Sequence, residues 1–179
     1  EYSLQGWQKR TVFDVHMERM FTMKVEAKLE SMGYKLPAPP ARGGIYTPIR
    51  EFGDNLLYAS GFGPAIEGVE PIIGKVGKEV TLEDGQEVAR RCTLNLLSAL
   101  KALVGDLDRV KRIVKLLVFV ASDDEFYQQP QVANGASQLF VDLFGEEAGL
   151  AARSAVGMNV LPGNIPVEVE AVIELKDAE

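Results

Sequence analysis

The sequence predicts an α+β protein, a mixed sheet with its helices on one face, and three features predict it. A long 3.6-periodic apolar stripe follows a capping sequence at Thr81-Leu82-Glu83-Asp84. A β-branched run fills Val110 to Ala121, and two alternating segments close the chain between Ala152 and Leu175. The elements follow as α, ββ, α, β, α, ββ without internal repeats, an order that suits segregated helices better than a doubly wound parallel sheet.

Taken in order, Asp14 is a plausible N-cap, and Phe21, Val25, Leu29 and Met32 recur at helical spacing before Gly33. An amphipathic helix is therefore expected within residues 14–36. Residues 1–13 show no periodic apolar face and read as an N-terminal extension, a leader or a remnant. They lack the basic start and continuous apolar run of a secretory signal, and Glu1, Asp14 and Glu18 interrupt what would be a transit peptide. The stretch KLPAPPARGG, residues 35–44, loses backbone donors to proline and periodicity to glycine, so its residues 37–44 are a linker into a domain spanning 45–179.

Ile45 to Ile49 and Leu56 to Ala59 read as paired strands around the Gly53-Asp54-Asn55 turn. The capped helix puts Ala89, Cys92, Leu96, Leu100 and Leu103 on one face and stops at Gly105. Val110 to Ala121 suits a central strand buried along most of its length. A further helix is expected from Val132 to Phe144, ending at Gly145. The segments Ala152 to Val160 and Pro166 to Leu175 are expected to form a hairpin across Leu161-Pro162-Gly163-Asn164.

Composition narrows the function classes. The net charge of -7 opposes a general attraction to nucleic acid or anionic membranes. One cysteine excludes an internal disulfide, and no apolar run approaches the roughly 18 to 20 residues a spanning helix needs. A soluble protein follows, with the cytoplasm the expected compartment ahead of the mitochondrion. The single histidine, His16, sets aside a Ser-His-Asp triad, a two-histidine ribonuclease site and a His-rich metal centre. Cys92, on an apolar helix face, reads as a buried, inert thiol. No phosphate-binding or metalloprotease motif occurs, and no helix opens behind Gly61-Phe62-Gly63 to make it a phosphate cradle.

The closing segment, AARSAVGMNVLPGNIPVEVEAVIEL, is the informative one. A period of two groups Arg153, Ala155, Gly157 and Asn159, and opposes Val167, Val169, Ala171 and Ile173 to Glu168, Glu170, Val172 and Glu174. If the two segments pair, a face with one arginine, small neighbours and a carboxylate results. Two roles are then open to Arg153. It can form a structural ion pair with Glu168, or it can bind a ligand carboxylate with its planar fork.

The stretch ARSAVGMNVLPGNIPVEVEAVIE resembles the C-terminal signature of the Rid (reactive intermediate deaminase, YjgF-like) family, also called the endoribonuclease L-PSP family. LLYASGFGP is similar to that family's strand and Ser-Gly loop, and DRVKRIVKLLVFVASDDEF to its Asp-x-Val-Lys segment. The likeness runs from about Leu36 to Lys176, and Val25 to Pro37 resembles the leader of a branch distinct from the best-studied imine deaminases. The resemblance implies a chorismate-mutase-like fold and a homotrimer with ligand clefts between subunits. It further implies hydrolysis of enamine or imine intermediates to 2-oxo acids and ammonia, as by a 2-iminobutanoate/2-iminopropanoate deaminase, without metal or organic cofactor. By this likeness Arg153 binds the substrate carboxylate and Glu168 lies near the reacting nitrogen or its water, while Tyr46, Ser60, Gly61 and Ala155 line the site. Ala155 stands where many members have cysteine, and Ser60-Gly61-Phe62 where Ser-Gly-Gln is usual. A non-catalytic binder of 2-oxo acids is the alternative, and an endoribonuclease or translation inhibitor the third.

Overall fold

The computed structural model describes residues 24–177. Its elements are α1 (Lys24–Ser31), β1 (Ile49–Phe52), β2 (Leu56–Phe62), α2 (Leu82–Val104), β3 (Val110–Ala121), α3 (Gln129–Gly149), β4 (Ala152–Met158) and β5 (Val167–Leu175). Short 3₁₀ turns occur at Leu107–Arg109 and Pro162–Asn164. The α+β class holds. The strands form one mixed sheet in the order β1-β2-β5-β3-β4, antiparallel except for the parallel β3/β4 pair.

That order corrects the expected C-terminal hairpin. Helix α3 carries the chain back along the sheet, so β4 runs parallel to β3, as a crossover connection requires. β5 then enters on the other side of β3, and β3 separates the two segments that were expected to pair.

Helix α2 forms as its sequence dictates. The Thr81 hydroxyl accepts the amide of Asp84, and the Gly105 amide closes the last turn on the Lys101 carbonyl. Val88, Ala89, Cys92, Leu96 and Leu100 are buried, but Leu103 is exposed and Val104 takes its place. At 3.6 residues per turn, the fourth residue after Leu100 returns closer to the buried face than the third.

Helix α3 starts earlier than expected, with Pro130 in its first turn, and passes Gly145 at φ 79° before ending at Gly149. The first strand begins at Ile49 rather than Ile45. Pro48 has no N–H to offer a ladder, and Ile45 is fully exposed in a bend. On α1, Val25 and Leu29 are buried, and the Asp108 carboxylate accepts the amides of Lys24 and Val25 at 2.8 and 3.1 Å. Asp14, His16 and Phe21 lie outside the described residues, as does the 1–13 extension.

The core lies between the sheet and α2 and α3. It receives Leu116, Val118 and Val120 from β3 and Val167, Val169, Ala171 and Ile173 from β5. β3 is therefore buried on one face, rather than along most of its length as expected. On the opposite face Leu117, Phe119 and Val172 are half-buried, Tyr58 and Val156 are exposed, and no helix covers them among the described residues. No helix among those residues is long and apolar enough to cross a membrane.

Candidate functional site

The residues singled out from the sequence on the strands fall into two groups on opposite faces of the sheet, and Tyr46 lies apart in the bend before β1. Register decides the grouping. Arg153 and Ala155 pair with Leu116 and Val118, whose side chains point to the helices, whereas Glu168 pairs with Phe119 on the open face. The shared face expected of a hairpin is absent, because inserting β3 between β4 and β5 sets their relative register independently of the turn.

The first group is built on the open face. Strand β2 is irregular between Ala59 and Phe62, where it pairs with β5, and within that stretch Gly61 lies against Glu168. A Cβ on Gly61 would stand 1.6 Å from Glu168 Oε1, so only glycine admits the carboxylate there. Ser60 is anchored outward, its amide and hydroxyl both donating to the Pro48 carbonyl at 2.8 and 3.0 Å. Tyr46 lies two residues before Pro48, is exposed, and accepts the Gly43 amide on its phenol oxygen at 3.4 Å. Partial burial first, and the charge of Glu170 second, push the Glu168 carboxyl above the usual carboxylate range. Glu170 itself accepts the Tyr58 phenol at 3.1 Å.

The second group is built on edge strand β4 against α3. One Arg153 Nη donates to Asn134 Oδ1 and Ser137 Oγ, both at 2.9 Å, and the other donates to the Pro130 carbonyl at 3.0 Å. Three neutral oxygens thus orient the guanidinium, and among the described residues it enters no ion pair. Of its five N–H groups, Nε–H and one Nη–H donate to no described residue and can serve a ligand carboxylate. A cleft of about 500 Å³ adjoins it, lined by Asn134, Ser137, Gln138 and Val141. Partial burial lowers the guanidinium's pKa from its ordinary value, but arginine stays charged. Ala155 and Gly157 continue this strand without bulk.

Of the two roles the sequence left open for Arg153, the pair with Glu168 is thereby excluded within one chain. Asn134 and Ser137 were missed in the sequence. Their signal is a pair of small polar residues three apart on α3, which face the same side of a helix. Cys92 is buried with its thiol 3.3 Å from the Val167 carbonyl, and burial pushes its pKa well up, as expected of an inert thiol.

Comparison with known proteins covers nearly all of this architecture. The family described as YjgF/chorismate mutase-like, putative endoribonuclease, matches residues 26–175. Protein TCP17 of Trypanosoma cruzi is 44% identical over 154 residues, 86% of this chain and 96% of that protein. The crystal structure of Atu1372 from Agrobacterium tumefaciens, of unknown function, has a TM-score of 0.79 at 39% identity, covering 90% of this chain and 98% of that one. A putative endoribonuclease from Shewanella oneidensis has a TM-score of 0.81 at 32% identity, covering 85% and 99%.

Proposed function

Because the chain belongs to the YjgF/chorismate mutase-like family, the Rid family of the sequence resemblance, we propose that it hydrolyses small 2-imino acids to 2-oxo acids and ammonia. The observation that carries this reading is the state of Arg153, oriented by three neutral oxygens and, among the described residues, with no carboxylate paired to it and two donors unbonded. A structural arginine would be expected to face a carboxylate; a ligand anchor is expected to wait for one.

Since Arg153 and Glu168 occupy opposite faces in one chain, the reading requires a second copy to bring Arg153 to the Glu168 and Ser60-Gly61 group of its neighbour. We take the assembly as a homotrimer. The uncovered sheet face, with Tyr58, Val156, Leu117 and Phe119, supports an assembly that buries it.

The chemistry asks little of the protein. Arg153 holds the substrate carboxylate and thereby fixes the imine carbon. With the nitrogen protonated as C=NH2+, water adds its oxygen to that carbon and gives a proton to the Glu168 carboxylate, so that the steps end in 2-oxo acid and ammonium. The same carboxyl returns the proton to the nitrogen, which leaves as ammonia; ammonia takes the hydroxyl proton, and the carbon becomes the 2-oxo group. A raised pKa makes the Glu168 carboxylate a better acceptor for the proton water gives up. In this reading the protein works in the cytoplasm.

The test is turnover of freshly generated 2-aminoacrylate or 2-iminobutyrate, followed as ammonia release above the spontaneous rate. Acceleration supports the enzyme. Tight 2-oxo acid binding without acceleration would replace it by a metabolite-binding module. Cleavage of RNA with no effect on imines would replace it by the endoribonuclease reading, against which the net charge of -7 argues.

A further inference from the structure

We infer that Tyr58 and Glu170 are positioning residues for the imine reaction: Tyr58 holds the charged Glu170 carboxylate on the face it shares with Glu168, and the arrangement directs the proton given up by water to Glu168. This rests on the reading of the site given above and adds to it two residues that act through Glu168 without touching the substrate.

The placement follows from strand geometry. Glu168 and Glu170 alternate with the buried Val167, Val169 and Ala171, so both leave β5 on the open face, about 7 Å apart along the strand. Tyr58 reaches the same face from β2, where it pairs with Val172, and its phenol donates to Glu170 Oε2 at 3.1 Å. Among the described residues neither carboxylate enters an ion pair, and only that of Glu170 accepts a hydrogen bond.

The pair is therefore uneven. A hydrogen bond given to a carboxylate favours its charged form, so of two carboxyls on one face the one without a donor takes an added proton more readily. The bond to Glu170 first, and the Glu170 charge second, push the Tyr58 pKa up, which keeps the phenol a donor. In return the Glu170 charge adds to burial in holding the Glu168 carboxyl above the usual range. Two titratable groups whose surroundings part them in this way divide their roles, one as proton acceptor and the other as fixed charge.

Other charged and titratable groups lie around the pair. Arg50 on β1 is the ladder partner of Tyr58 and is exposed. On β3, Leu117 is the partner of Glu170, and Lys115, two residues before it, donates to Ser154 at 2.7 Å. Beside Glu168 stand Phe119 of β3 and Gly61 of β2, and beneath the sheet the Cys92 thiol of α2 stays neutral, its pKa pushed well up by burial. Arg153 of a second copy is the cation that the site reading brings to Glu168.

The experiment is the pH profile of kcat/KM for 2-iminobutyrate, followed as ammonia release, in the full-chain wild type, Glu170→Gln and Tyr58→Phe. Each variant's rate is taken relative to wild type at the same pH, so that the substrate's own protonation cancels. The Glu168 carboxyl is titrated in parallel by carbon-13 NMR, assigned with Glu168→Gln. Glu170→Gln keeps an amide oxygen for the phenol and removes only the charge, without which Glu168 holds a proton less tightly. Its titration and the acid limb of the profile should then both move to lower pH, and the rate at pH 8 should fall at least about twofold, as for a weaker base. Tyr58→Phe should move both the same way by a smaller step. A uniform loss at every pH with limb and titration unmoved is what a purely structural role gives; it would overturn the inference and leave the site reading standing. So would unchanged profiles, a move to higher pH, or a limb and a titration that do not move together. No turnover by the wild type would remove the site reading and this inference together.

Discussion

The carboxylate of Glu168 occupies the space that a Cβ on residue 61 would need, 1.6 Å from where that atom would stand on Gly61. The obstacle is the far end of a flexible side chain, not backbone. In Gly61→Ala the carboxylate should swing aside at little cost to folding, within about 1 kcal/mol, because the backbone at residue 61 is not left-handed. Imine turnover should fall at least about tenfold, with unfolding in urea nearly unchanged. Full activity in the alanine variant would mean that the position of Glu168 is irrelevant.

Glu168 also makes stability depend on pH in a stated direction. Its folded-state pKa is raised, by burial first and Glu170 second. A raised pKa contributes stability that is complete below the unfolded-state value, about 4.3, and is lost as pH rises through the folded value. Glu168→Gln removes that loss. The variant should be more stable than wild type at pH 7, by less than about 1 kcal/mol after solvent screening or a few degrees in Tm, and equal to it below pH 4. Thermal melts at the two pH values decide the sign.

The faces of single strands could be read in the sequence, and their assembly could not. A period of two sorts Val167, Val169, Ala171 and Ile173 from Glu168 and Glu170, and the structure keeps that sorting. Thr81 and Gly105 marked the ends of α2 because capping is local. Whether Arg153 and Glu168 share a face depends on which strand lies between β4 and β5. That is a non-local choice, carried by the crossover through α3 and invisible to a short-range reading of the turn. The helical partners of Arg153 escaped for the same reason: Asn134 and Ser137 meet it only once α3 packs on the edge of the sheet.

Those partners act through Arg153 and should tune ligand affinity without holding the fold. Asn134→Ala removes one oriented acceptor from the guanidinium at an exposed position. Pyruvate or 4-methyl-2-oxopentanoate binding should weaken about fivefold, in line with a hydrogen bond worth about 1 kcal/mol, and Tm should hold within about 2 °C. Calorimetry and a thermal melt on the same sample check both.

Assembly is expected to be concentration-robust. Light scattering at micromolar concentration should give three times the chain mass, and Val156→Asp, on the uncovered face, should lower it. A stable monomer in the wild type would leave Arg153 and Glu168 with no way to meet.

The central claim, that Arg153 anchors a substrate carboxylate, is tested most directly by Arg153→Ala with ligand affinity and unfolding measured on the same preparation. The oxygens it frees are at least partly exposed and can bond water, so stability should fall by no more than about 1 kcal/mol. Carboxylate affinity should drop over a hundredfold, the loss of a bidentate charge-assisted pair of about 3 kcal/mol or more. A variant that binds 2-oxo acids as the wild type does, or that loses 3 to 5 kcal/mol of stability as a broken buried ion pair would, contradicts the claim.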